Sequence, residues 1–220
     1  MRKIPDPKSE IQDRFDSFIL IGGRSSRFGS PKVFLKLDGQ PLLRRTAGTI
    51  ADALPETRIT LAASTPEQFP GLGTDLPFIF DLYPDRGPIG GLHAALAYAR
   101  AEWVFVTACD YPFISVDLLK FLAELTNGMF EAIVPTQPDG RQQPLCAFYR
   151  AKPCLKTVEE LILPNRPAPP LRAVFEAVET RIVKFEEIAH LSGSGNFFLN
   201  INAPADLEKI SRLKDKPDGN

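Results

Sequence analysis

Short, wholly apolar runs alternate along this chain with stretches whose apolar residues recur every three or four positions. Phe18-Ile19-Leu20-Ile21, closed by Gly22-Gly23, reads as a buried strand. Behind the turn-rich segment 36–41, the residues Leu42, Leu43, Thr46, Ala47, Ile50 and Leu54 keep helical spacing. Further strands are predicted over 58–62, 78–80, 103–108, 132–134, 145–149 and 181–185. Helices are predicted over 91–100, 117–125 with Ser115 as N-cap, 155–163, 171–177 and 205–213. Alternation of this kind implies an α/β fold, a three-layer α/β/α sandwich around a mostly parallel sheet with both faces covered.

Composition narrows the class. The chain has 220 residues, 44% hydrophobic and 24% charged, with a formal net charge of -1, as in ordinary globular proteins. Length favours one domain over 17–213, between a polar lead-in over 1–16 and a tail over 214–220. A near-neutral balance without a basic stripe disfavours nucleic acid as a partner. No run approaches the roughly 18 apolar residues of a membrane span. The lead-in also lacks the apolar centre of a signal peptide. Cys109, Cys146 and Cys154 have neither metal-ligand spacing nor an even count, which suits a reducing, cytoplasmic setting. His93 and His190 have no partnered nucleophile, and Trp103, opening an apolar strand, reads as core.

The candidate chemistry gathers where the predicted strands end, because ligands of open parallel sheets bind at the carboxyl edge. After the first strand, Gly22 and Gly23 allow a close backbone approach. Arg24, Arg27 and Lys32 follow with no acidic residue between Gly22 and Lys32, which suits a polyphosphate. The spacing is neither G-x-G-x-x-G nor a Walker loop. The fourth predicted strand delivers Asp110 onto the same edge, where a hard cation such as Mg²⁺ would offset the cost of a bare carboxylate at a buried strand end. Asp81 ends the third strand and can accept hydrogen bonds from a ribose or a guanine edge. Gly87-Pro88 then opens a helix whose amides face the same edge.

The loop resembles the L-x-G-G-x-S-x-R-[MF]-G-x-x-K signature of nucleotidyltransferases, in the molybdenum cofactor guanylyltransferase branch, through Leu20, Gly22, Gly23, Ser25, Arg27, Phe28, Gly29 and Lys32. Gly87-Pro88-Ile89-Gly90-Gly91, Cys109-Asp110-Tyr111-Pro112 and Phe198-Leu199-Asn200-Ile201-Asn202-Ala203-Pro204 resemble further segments of that family, in the same order. The likeness spans about residues 17 to 210. It implies a nucleotide-diphospho-sugar transferase-like fold and transfer of GMP from GTP to molybdopterin bearing molybdenum, with Mg²⁺ and release of pyrophosphate. Molybdoenzymes or their chaperones would receive the product.

Carried over by residue, the resemblance implies a nucleotide site of Leu20, Ile21, Gly22, Gly23, Lys32, Ala62, Asp81, Gly87 and Asp110. Arg27, Lys32 and Asp110 are its catalytic set and Asp110 its metal ligand. Arg141, Asn200 and Asn202 are candidates for the acceptor, although Arg141 also suits a solvated turn and Asn202 a helix cap. Relatives often carry asparagine near the second strand's end, where Ala62 stands here. That departure keeps a cytidylyltransferase of the same cofactor open, beside a sugar-phosphate nucleotidyltransferase and a nucleotide-binding partner without turnover.

Overall fold

The computed structural model describes residues 14–21, 32–65, 69, 72–162, 167–201 and 206. The first strand is β1 (Phe15–Leu20), and a two-residue hairpin follows, β2 (Lys36–Leu37) and β3 (Gln40–Pro41). Helix α1 (Leu42–Ala53) leads to β4 (Arg58–Ala63) and β5 (Phe78–Phe80). Helix α2 (Pro88–Tyr98), β6 (Trp103–Ala108) and α3 (Val116–Glu124) come next. The chain continues through β7 (Ala132–Pro135), β8 (Cys146–Arg150), α4 (Ala151–Leu161), α5 (Arg172–Glu176), β9 (Thr180–Val183) and α6 (Phe185–Ile188).

Among the described residues the main sheet has seven strands in the order β5-β4-β1-β6-β8-β7-β9. Strands β5, β4, β1 and β6 are mutually parallel, and β7 pairs parallel with β9. β8 runs against both its neighbours. The segment 136–145 between β7 and β8 is shorter than the dozen or more residues of a crossover, so the pair closes as a hairpin. That hairpin opens on the edge where the parallel strands end. The expectation of a mostly parallel sheet holds, with β8 as the exception that the apolar pattern did not distinguish.

Side-chain alternation along the strands fills two cores. Ile19, Leu61, Phe105 and Phe148 pack on one face under Leu43 and Ile50 of α1 and Leu118 and Leu122 of α3. Phe18, Val104, Val106 and Tyr149 pack on the other under Leu92 of α2 and Val158 of α4. Trp103 is buried, as its place in an apolar strand predicts. Ser115 caps α3, accepting a hydrogen bond from Leu118 N at 3.1 Å.

Several boundaries differ from the pattern for local reasons. β1 takes in Asp16, which the sequence pattern assigned to the lead-in. The Asp16 carboxylate accepts from Arg100 N at 2.6 Å and Ala101 N at 3.0 Å and pairs with Arg58 at 2.9 Å, so its burial is compensated. Helix α2 starts before residue 91 because Pro88, with its fixed φ, serves as a first helical residue after Gly87. The predicted strand over 181–185 stops at Val183, where Lys184 becomes the N-cap of α6 and its backbone N–H donates to Glu187 Oε1 at 2.8 Å. The predicted helix over 205–213 lies outside the described residues, apart from Asp206.

Helix α2 is buried from Ile89 to Leu96 without a polar face, unlike a surface helix. That stretch includes His93. Its ring lies edge-on to Tyr83 at 4.8 Å between centroids, and its Nε2 is 3.9 Å from Glu159 Oε1. Neither ring nitrogen makes a hydrogen bond. Burial holds the imidazole pKa below its ordinary value of 6.5, opposed by the weaker attraction of Glu159. The unfolded chain therefore takes up a proton first as pH falls below 6.5, and folding stability is lost in that direction. His93→Leu is expected to reduce the fall in melting temperature between pH 7 and pH 5. An undiminished fall in the variant would show that His93 does not carry the acid sensitivity.

Candidate active site

The carboxyl ends of β1, β4, β5 and β6 form one edge. Ile21 N donates to Ala62 O at 2.9 Å, and Asp81 N donates to Ala63 O at 3.0 Å, so pairing continues to the strand ends. Lys32 begins a single 3-10 turn, Lys32–Phe34, beside this edge. Its Nζ donates to Asp110 Oδ2 at 2.8 Å, with the lysine and aspartate side chains 22% and 16% exposed. Asp110 lies two residues past β6, and its carbonyl accepts from Ile201 N at 3.1 Å, which brings the segment carrying Asn200 to the same corner.

The segment from Asp81 to Gly87 is fixed by close packing on α2. A Cβ on Gly90 would lie 3.0 Å from Tyr83 O, 3.2 Å from Arg86 Cβ and 3.5 Å from Asp81 Oδ2. A Cβ on Gly91 would meet the Leu20 side chain at 3.2 Å. Gly87 has φ 62° and ψ -147°, a region that essentially only glycine occupies. The Gly-Pro-Ile-Gly-Gly segment therefore has a steric purpose: it lets a helix start at the ligand edge and lie tightly against β1 and the Asp81 loop.

Beside this corner is a cleft of about 710 Å³ whose walls include Pro88, Tyr111, Arg141, Gln143 and Asn200. A second cavity, of about 400 Å³, lies at the opposite edge between the ends of α1 and α3 and is lined in part by Phe15, Leu54 and Lys120. Sheet polarity favours the first as the ligand site.

A family model for the MobA-like NTP transferase domain matches residues 17–181. The chain belongs to this family. It is 30% identical over 198 residues to the molybdenum cofactor guanylyltransferase of Desulfosudis oleivorans, covering 90% of this chain and 94% of that one. It is 32% identical over 191 residues to a probable molybdenum cofactor guanylyltransferase of Pelotomaculum thermopropionicum, covering 87% and 89%. The crystal structure of molybdopterin-guanine dinucleotide biosynthesis protein A from Archaeoglobus fulgidus superposes with a TM-score of 0.75 at 25% identity, covering 92% of this chain and all of that one. A 4-diphosphocytidyl-2C-methyl-D-erythritol synthase from Anaerococcus prevotii, at 11% identity and a TM-score of 0.65, shares the fold.

Within this MobA-like domain the sequence candidates are distributed unevenly. Lys32 and Asp110 are in contact, and Arg141 and Asn200 line one cleft. Asp81 and Gly87 stand at the two ends of the loop packed on α2. Gly22, Gly23, Arg27 and Asn202 lie outside the described residues. Leu20 and Ile21 turn their side chains into the two cores. Ala62 is also buried, packed in the same core as Leu20, Ile79 and Leu92, so where relatives often have asparagine this chain offers no polar side chain. Arg141 is 71% exposed and held within its own turn by Asp139, at 2.7 Å. Tyr111 and Gln143 were not singled out by the sequence; Gln142-Gln143-Pro144, opening a strand, was the available signal.

The two carboxylates of the edge differ electrostatically. Asp110 has an ammonium partner. Asp81 is pushed up to about 6, chiefly by burial and despite a hydrogen bond with the Ser64 side chain. Between pH 3.8 and about 6 the folded protein holds a proton at Asp81 that the unfolded chain has released, so stability declines as pH rises through that window. Asp81→Asn is expected to raise the melting temperature at pH 7, the gain vanishing below about pH 4. Thermal melts across that range check it, and a variant no more stable than wild type at pH 7 would contradict the burial cost.

Proposed function

We propose that this chain transfers GMP from GTP to the terminal phosphate of molybdopterin carrying molybdenum, with release of pyrophosphate. The observation that carries the reading is the Lys32–Asp110 pair beside a cleft lined by Arg141 and Asn200, with relatives bearing the guanylyltransferase name over most of the chain. An oxygen of the acceptor phosphate forms a bond to the α-phosphorus, and the bond from that phosphorus to the oxygen of the β-phosphate breaks. A phosphate monoester is already largely ionised at neutral pH, so the step needs no protein base. That accords with the absence of a catalytic histidine pattern.

The chain then has two tasks, alignment of the reactants and compensation of charge on the departing pyrophosphate. Lys32, 2.8 Å from Asp110 in the resting site, is the cation to transfer to the phosphates. Arg27, from the same loop, is assigned with it. Arg141 and Asn200 are assigned to the acceptor, together with Asn202. The donor set fits Mg²⁺ of the kind that substrate completes. One hard carboxylate stands at the strand end, and no cluster of three or more ligating side chains occurs among the described residues. Bound through Asp110 and the phosphates, Mg²⁺ would neutralise charge and hold the triphosphate in line.

Base selection is assigned to Asp81. An ionised carboxylate only accepts hydrogen bonds, and guanine offers adjacent N–H donors on one edge. With Ala62 in the core, Ser64 is left to orient that carboxylate. The three buried free thiols suit a reducing cytoplasm. No helix among the described residues is long and apolar enough to cross a membrane. Molybdoenzymes or their chaperones would take the product.

Pyrophosphate release should occur with GTP, Mg²⁺ and molybdenum-loaded molybdopterin and not with CTP, ATP or UTP. A preference for CTP would make the chain a cytidylyltransferase, and silence with all four nucleotides would reject the reading. Asp110→Ala and Lys32→Ala should each lower kcat by about 10²–10³ while folding normally by circular dichroism. The KM for GTP should rise as pH falls below about 6, where Asp81 takes up its proton. A flat KM down to pH 5 would detach Asp81 from base recognition.

A further inference from the structure

Tyr111 follows Asp110 directly and lines the wall of the acceptor-side cleft. Its hydroxyl donates to Gln143 Oε1 at 3.1 Å, a buried bond across 32 positions of sequence. Gln143 is itself buried and is held from several directions. Its Nε2 donates to Arg141 O at 3.3 Å, its backbone N–H to Pro135 O at 2.9 Å, and its carbonyl accepts from Cys146 N at 3.0 Å. Arg141 O also accepts from Gln137 N at 2.9 Å. The turn that presents Arg141 is thus tied, through Gln143, to the residue next to Asp110. Gln137 Nε2 adds a bond of 3.4 Å to Phe198 O, linking the turn to the segment that carries Asn200.

We propose that Tyr111 and Gln143 are positioning residues, a two-side-chain tie that sets the acceptor turn over 137–143 in register with the Asp110 strand end. The inference rests on the guanylyltransferase reading for its functional consequence. The chemistry calls for such a tie. Donor and acceptor phosphates must meet in line, and a displacement of about 1 Å can cost about 10²-fold in rate. Arg141 is exposed and, among the described residues, its guanidinium is anchored by Asp139 of its own turn, so it is placed no better than the turn itself. The Tyr111 hydroxyl suits the task because a phenol stays protonated, and so remains a donor, through the working pH range. Loss of the hydroxyl leaves Gln143 Oε1 buried without its donor, a net loss worth up to about tenfold.

The test compares Tyr111→Phe, Gln143→Leu and the double variant with wild type in two readouts. In steady-state turnover each single variant is expected to raise the acceptor KM or lower kcat by about tenfold with the KM for GTP changed less than about twofold. The double variant should be no worse than Gln143→Leu, which already removes the Tyr111 bond together with the Nε2 bond to Arg141 O. In hydrogen exchange the amides of 137–143 should exchange faster in Tyr111→Phe than in wild type while those of β6 keep their protection. An equal rise in the KM values of both substrates, fully additive losses, or unaltered exchange over 137–143 would overturn the proposal. If wild type itself releases no pyrophosphate with any nucleotide, the guanylyltransferase reading fails instead, and the exchange comparison alone decides whether the tie exists.

Discussion

Burial of α2 is the constraint on which the ligand edge depends. The helix has no polar face from Ile89 to Leu96, so it can lie only between the sheet and a second cover of loop and helix. Each large aliphatic side chain sealed there contributes about 1.5–3 kcal/mol. Such contact is obtained only if the backbones approach closely, and Gly90 and Gly91 remove the side chains that would prevent it. Once α2 is in place, its first turn stands at the strand ends, and the loop carrying Asp81 must follow its surface. The unbonded His93 ring shows how strongly apolar packing prevails here, since a polar side chain is kept in the core at a cost.

Against this apolar support, the edge treats its two carboxylates in opposite ways. Asp110 is given a lysine at 2.8 Å, which compensates its charge in a partly buried corner. Asp81 receives burial and one serine, and its ionisation is disfavoured as a result. A paired carboxylate can stay ionised in a partly buried corner because the ammonium stays beside it. An undercompensated one suits a neutral ligand edge rich in N–H groups, whose donors supply what the protein withholds.

Much of this was legible in the sequence because it is local. Apolar runs, the Ser115 cap and the glycine pairs gave the strands, the start of α3 and the edge on which Asp81 and Asp110 stand. What escaped was non-local or depended on direction. Asp16 looked like the end of a polar lead-in because its partners, Arg58 and the amides of Arg100 and Ala101, are distant in sequence. β8 carries an apolar run indistinguishable from its parallel neighbours, and only the length of the preceding segment betrays its reversal. Ala62 could be aligned with a ligand position, but strand parity sends it into the core. Tyr111 and Gln143 are ordinary residues until folding brings them within 3.1 Å.

The reversal of β8 divides the molecule along a single seam. On one side lie β5, β4, β1 and β6, which end in the residues proposed for the nucleotide; on the other, β8, β7 and β9 carry the hairpin over 136–145. Because β8 enters the sheet beside β6 from the ligand edge, that hairpin can lengthen, shorten or change composition without disturbing a βα crossover. A lineage with this architecture can vary the wall of the cleft that the hairpin builds while keeping the parallel half of the sheet and the Lys32–Asp110 pair intact.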